Sequence, residues 1–221
     1  MYYIQAFDIE DGWRQALNLC VSKGYMYTIK KGSYEEQKRV QLPYLVLDIT
    51  NQKSSNLGVT LPEHLIMPPP SSHMSVQHYF ANYLMLDTKS TNEDYRYGQY
   101  IAPQIDRIIE LLNQSEGKTN QACITVGDNN SINLTDPPCM KLIDFKLFDN
   151  KLHLYTFFRS WDLYAGLPMN LGGLFLLRDY VLMHLDFECD PGSLTAFSSG
   201  AHIYEQYFEL VNQLCVSKIR I

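Results

Sequence analysis

The sequence predicts an α+β fold in one domain spanning residues 1–221, and three observations carry that expectation. Short apolar runs of strand type occur near the start and in the middle of the chain. Asp149-Asn150 separates two of them as a tight turn would. Pro168 to Leu185 is apolar almost all round, which suits a helix passing through the centre of a core. Strands followed by helices that pack on a sheet face give the α+β class. With 46% hydrophobic and 19% charged side chains over 221 residues, the chain can bury one sizeable core.

Taken in order, Tyr2 to Phe7 reads as a strand, Glu10 to Lys23 as a helix, and Val40 to Ile49 as a second, aliphatic strand. Lys30-Lys31-Gly32-Ser33 between them is a cationic turn. Pro68-Pro69-Pro70-Ser71-Ser72 is extended and loop-like. Val76 to Leu86 is predicted helical, and Pro103 suits the first position of a helix running to Asn113. Gln121 to Val126 is a short strand. Lys141 to Phe148 and Leu152 to Arg159 form a hairpin around Asp149-Asn150, so Arg159 ends a strand.

Eighteen Lys and Arg against 24 Asp and Glu give a formal charge of -6, which disfavours a broad nucleic-acid surface; a bound phosphate would be single and held locally. Five widely spaced cysteines, none in a C-x-x-C pair, fit neither a disulfide framework nor a zinc site and suit a reducing cytoplasm. No apolar run approaches a membrane span, the N-terminus lacks a secretory pattern, and no histidine spacing suggests a metal.

Four places could carry chemistry. Asp136-Pro137-Pro138-Cys139 holds a cysteine rigidly before a strand; it is a nucleophile candidate or a small buried hydrophobe. Arg159-Ser160-Trp161-Asp162 offers a permanent cation, a hydroxyl and a carboxylate. An arginine near the thiol would favour thiolate and could hold a phosphate, unless it serves a structural pair with Asp162. Asn170 is a ligand contact or a helix cap. His202 and Tyr204 share one face of an extended segment, where they reach a hydroxyl together or satisfy each other.

In this order, Pro138-Cys139, Arg159-Ser160-x-Asp162, Gly166-Leu167-Pro168-x-Asn170 and His202-x-Tyr204 resemble the thymidylate synthase signature, over Asp136 to Tyr204. Thr119 to Gly127 and Arg159 to Leu163 look more like the shorter archaeal-type branch than the bacterial one. The resemblance implies the thymidylate synthase/dCMP hydroxymethylase-like fold, a mixed sheet packed on helices with a long buried central helix, and a homodimer with neither nucleic acid nor membrane as partner. It implies reductive methylation of dUMP to dTMP. Cys139 would add to carbon 6 of the pyrimidine, and 5,10-methylenetetrahydrofolate or methylenetetrahydromethanopterin would supply the carbon, without a metal. Arg159, Ser160 and Lys31 would hold the phosphate, Asn170 the base edge, and His202 with Tyr204 the ribose. Asp162 would bind the pterin and Tyr97 would assist loss of the carbon 5 proton. A 5-hydroxymethylase acting on dUMP or CMP/dCMP shares the first steps, and a silent nucleotide-binding homologue shares only the fold.

The sequence departs from that pattern in four places. Asn120 and Gln121 stand where family members lend paired arginines to a partner's phosphate site, a charge that Lys30, Lys31, Lys38 or Arg39 would have to supply instead. No glutamate occurs between Glu63 and Glu93, where the family's catalytic glutamate belongs. Met140 replaces a common histidine, and Ile219-Arg220-Ile221 matches the family's closing tail only loosely.

Overall fold

A computed structural model describes residues 1–219 except 33, 52, 54, 66 and 92. The N-terminal strand β1 (Tyr2–Ala6) leads into helix α1 (Ile9–Lys23). Asp8 caps that helix by accepting the Asp11 N–H at 2.9 Å. The predicted strand over Val40 to Ile49 is two strands, β3 (Lys38–Leu42) and β4 (Leu45–Ile49), which lie in different sheets. Pro43, with no N–H to donate, stands at the break. A strand not foreseen, β2 (Tyr25–Thr28), pairs antiparallel with β3.

Ser72 caps α2 (His73–Tyr79), which runs on as a π-helical turn over Phe80–Leu84. Helix α3 (Gly98–Ser115) begins five residues before Pro103, which therefore sits inside it rather than first; the ring removes only one N–H close to the helix start. The remaining elements are β5 (Cys123–Thr125), β6 (Met140–Phe148), β7 (Lys151–Phe158), β8 (Trp161–Asp162), α4 (Gly166–Leu182), β9 (Asp190–Ser198), β10 (Ala201–Tyr204) and α5 (Phe208–Leu214).

Asp149 and Asn150 have φ of 52° and 55°, the two left-handed positions that a type I′ hairpin turn requires between β6 and β7. The larger sheet is mixed, in the order β1-β4-β9-β7-β6-β5; the smaller runs β2-β3-β10-β8. One continuous core packs the larger sheet against α1, α3 and α4. Leu167, Leu171, Leu174, Phe175, Leu177 and Val181 make α4 the buried central helix. Close approach of α2 to α4 depends on Gly173, where a Cβ would lie 2.8 Å from the Tyr79 ring. Among the described residues no helix is long and apolar enough to cross a membrane.

Candidate active site

The smaller sheet supplies the floor of the site. Antiparallel register sets Tyr204 opposite Arg39 and Arg39 opposite Tyr27, while His202 faces Gln41 on one side and Asp162 of β8 on the other. Residues opposite one another project from the same face. The Arg39 guanidinium therefore lies over the Tyr204 ring, 4.7 Å from its centroid, and donates to the Tyr27 hydroxyl at 3.3 Å. Among the described residues, Arg39 Nε is buried with no partner, and no carboxylate forms an ion pair with Arg39.

Cys139 is half-buried immediately before β6, in the loop that crosses to Arg159 at the end of β7. Arg159 organises that loop. Its guanidinium donates to the Pro137 carbonyl, to the Pro138 carbonyl at 3.1 Å and to Cys139 Sγ at 3.8 Å, and pairs with Asp136 at 3.5 Å. Its carboxylate partner is thus Asp136, not Asp162. Burial pushes the Cys139 thiol above its ordinary pKa, and the Arg159 guanidinium pulls it down. Arg159 favours the thiolate as expected, but burial is the stronger effect and the thiol stays above its ordinary pKa.

Asp162 accepts the Tyr164 N–H at 2.9 Å and the Ala165 N–H at 3.4 Å. Burial raises its pKa to about 6 despite those bonds. Burial also lowers His202 to about 3, with Arg39 adding to the effect, so the imidazole is neutral. Its Nδ1 lies 2.8 Å from the Gly200 carbonyl, which can only accept. The ring proton therefore sits on Nδ1, and Nε2 is a buried acceptor with no partner among the described residues.

Asn170 lies one turn inside α4, whose N-cap is Ala165, so it is not a cap. Its Oδ1 accepts from Trp161 Nε1 at 3.2 Å, and its Nδ2 donates to the Tyr79 hydroxyl at 2.9 Å. Tyr97 accepts the Met140 N–H at 3.2 Å, next to the candidate nucleophile, and burial holds its phenol well above the usual range. A cleft of about 770 Å³ brings Lys31, Arg39, Cys139, Arg159, Ser160 and Tyr204 together. A second, of about 750 Å³, opens against Tyr164, Tyr207, Met67, Pro70 and Leu210. Among the described residues no group of three His, Cys, Asp or Glu is placed to hold a metal.

Residues 72–220 match the family model described as thymidylate synthase. The chain belongs to the thymidylate synthase family. It is 30% identical over 217 residues to a Methanosarcina acetivorans protein named "Putative thymidylate synthase", covering 96% of this chain and 93% of that one. A protein of the same name from Methanothermobacter thermautotrophicus is 25% identical over 220 residues, covering 94% and 96%. Among solved structures, thermostable thymidylate synthase A from Bacillus subtilis superposes with a TM-score of 0.70 at 12% identity, covering 94% of this chain and 83% of that one. That likeness is one of fold.

Within this thymidylate synthase fold, five residues singled out in the sequence, Lys31, Cys139, Arg159, Ser160 and Tyr204, line the first cleft. Tyr97, Asp162, Asn170 and His202 lie outside its lining; Tyr97 and Asn170 bond to Met140 and Trp161, the chain neighbours of Cys139 and Ser160, and the His202 ring packs on Tyr204. Asn120 and Gln121 are exposed and are not among its lining residues. Of the four nearby cations only Lys31 and Arg39 line it; Lys30 pairs with Glu36 at 3.5 Å. Ser33 of the Lys31-Gly32-Ser33 turn, and Arg220 and Ile221 of the tail, lie outside the described residues. Trp161 and Tyr79 were not foreseen as site residues, because their partner in both cases is brought close only by the fold.

Proposed function

We propose that the protein methylates dUMP reductively to dTMP, with 5,10-methylenetetrahydrofolate or a related methylenetetrahydromethanopterin as one-carbon donor. The observation that carries this reading is Cys139 held by Arg159 at one wall of a cleft that also presents Ser160, Lys31 and Arg39, the last without a carboxylate partner among the described residues. Three cationic side chains and a hydroxyl suit one phosphate group. His202 Nε2 is poised to accept from a ribose hydroxyl, with Tyr204 beside it at 4.5 Å between rings.

In the proposed chemistry Cys139 Sγ gives its proton to solvent water in the cleft and its electron pair to ring carbon 6. The carbon 5–carbon 6 π pair moves to carbon 5, which becomes the nucleophile. After carbon 5 has gained its new carbon, its proton leaves and the carbon–sulfur bond breaks, restoring the ring. Tyr97, kept as a neutral phenol, serves that proton's departure as a relay and not as a phenolate base. The Asp162 carboxyl and the apolar, aromatic wall of Tyr164 and Tyr207 fit a flat pterin with N–H donors. When bound, that co-substrate supplies a carbon at the methylene level and, for methylation, a hydride.

A second reading, hydroxymethylation at carbon 5 by attack of water, has one observation in its favour: the Asn170 amide bonds to the Trp161 indole and the Tyr79 hydroxyl, and to no carboxylate among the described residues. A homodimer in a reducing cytoplasm completes the proposal. It is supported by the half-buried Tyr155, Phe157 and Phe197 on the larger sheet's outer face and by five unpaired cysteines. Incubation with dUMP and methylenetetrahydrofolate tests the reading by mass spectrometry. Thymidylate with dihydrofolate supports methylation, 5-hydroxymethyl-dUMP with tetrahydrofolate supports the second reading, and a tight nucleotide complex without product rejects both.

A further inference from the structure

Trp161 is 2% exposed, stacks on Phe158 at 4.6 Å with the rings 2° from parallel, and is tied through its backbone N–H to the Gly200 carbonyl at 3.0 Å. Its indole cannot swing away. Indole Nε1 is a donor only, whereas a tyrosine hydroxyl both donates and accepts. The Trp161 contact at 3.2 Å therefore decides which end of the Asn170 amide is oxygen; the Tyr79 contact at 2.9 Å would tolerate either end. A reversed amide would set N–H against N–H and strand a buried donor.

We propose that Trp161 is a positioning residue that sets base selectivity, by locking Asn170 in one orientation. With Oδ1 committed once to Trp161 and Nδ2 once to Tyr79, the amide keeps one acceptor lone pair and one N–H for a ligand. Uracil offers a ring N–H and a carbonyl at positions 3 and 4; cytosine offers an acceptor and an amino group, the reverse order. A freely rotating amide would meet both bases; the locked amide meets one. This inference rests on the proposed dUMP reading, in which the bond to Cys139 fixes the ring's placement.

Calorimetric titration of the full-length protein with dUMP and dCMP tests it, with thermal unfolding checked for each variant. The unaltered protein is expected to prefer dUMP by at least about tenfold, roughly 1.4 kcal/mol. Trp161→Phe is expected to shrink that preference by about tenfold, with dCMP affinity rising while dUMP affinity falls. Tyr79→Phe keeps the indole bond, so its preference is expected to stay within about threefold of the parent's. Unchanged selectivity in folded Trp161→Phe overturns the proposal, as does collapsed selectivity in Tyr79→Phe. Failure of the unaltered protein to bind dUMP overturns the functional reading, and this inference with it.

Discussion

The two sheets of this molecule are built to opposite purposes. The larger sheet lays Leu152, Leu154, Phe158, Leu194 and Ala196 against the central helix, where packing satisfies every one of those side chains. The smaller sheet sets Arg39 and Tyr204 in a cleft with His202 behind them, and leaves Arg39 Nε and His202 Nε2 buried without a partner among the described residues. Buried polar groups left unpaired cost stability, and the cost is recovered when a ligand completes them. On the proposed reading, the smaller sheet's buried polar atoms are completed by an anion and a hydroxyl, while the larger sheet packs the core and carries Cys139 and Arg159 at the ends of β6 and β7.

The strongest way to break that contrast is Arg39→Gln. If Arg39 is the cation that compensates for Asn120 and Gln121, dUMP affinity falls on the order of 30- to 100-fold, while deoxyuridine, which has no phosphate, binds as before. Equal losses for nucleotide and nucleoside would show that Arg39 supports the sheet and not the phosphate. Next comes Gly173→Ala, which sharpens the coupling between core and site. The new methyl meets the Tyr79 ring, so unfolding in urea should show a loss of about 1–3 kcal/mol, and the Asn170 contact should be disturbed with it.

The smallest effect is the pH dependence of Asp162. Its pKa, raised from 3.8 to about 6, favours the protonated carboxyl in the folded state. Its contribution to stability is therefore fully present below about pH 3.8 and lost as pH rises through about 6. Asp162→Asn, with no charge to bury, should gain on the order of 1–2 kcal/mol over the parent between pH 4 and pH 7. Parallel stability curves for the two proteins would remove the burial account.

Much of the larger sheet was legible in the sequence because its signals are local. Asp149-Asn150 demands left-handed backbone, and the run from Pro168 to Leu185 has no polar face to expose. The smaller sheet was not legible. Nothing within the aliphatic run from Val40 to Ile49 says that Pro43 sends its two halves to different sheets, yet that division is what brings Arg39 over Tyr204. The site residues were read from a resemblance to the family, and their types and order carried it. Their partners were not readable in the same way. Arg159 takes Asp136 and two proline carbonyls in place of Asp162, and Asn170 is held by Trp161 and Tyr79, contacts that exist only once distant elements meet.

In the proposed reaction Cys139 activates carbon 5 of a uracil nucleotide by adding to carbon 6, a step common to methylation and hydroxymethylation. Release of tritium to water from dUMP labelled at carbon 5, in the presence of methylenetetrahydrofolate, measures that step directly, with Cys139→Ala as control. Time-dependent release by the parent, reduced on the order of 10³-fold or more in Cys139→Ala, is the predicted result. Equal release by both proteins, or none by a parent that binds dUMP, would contradict it.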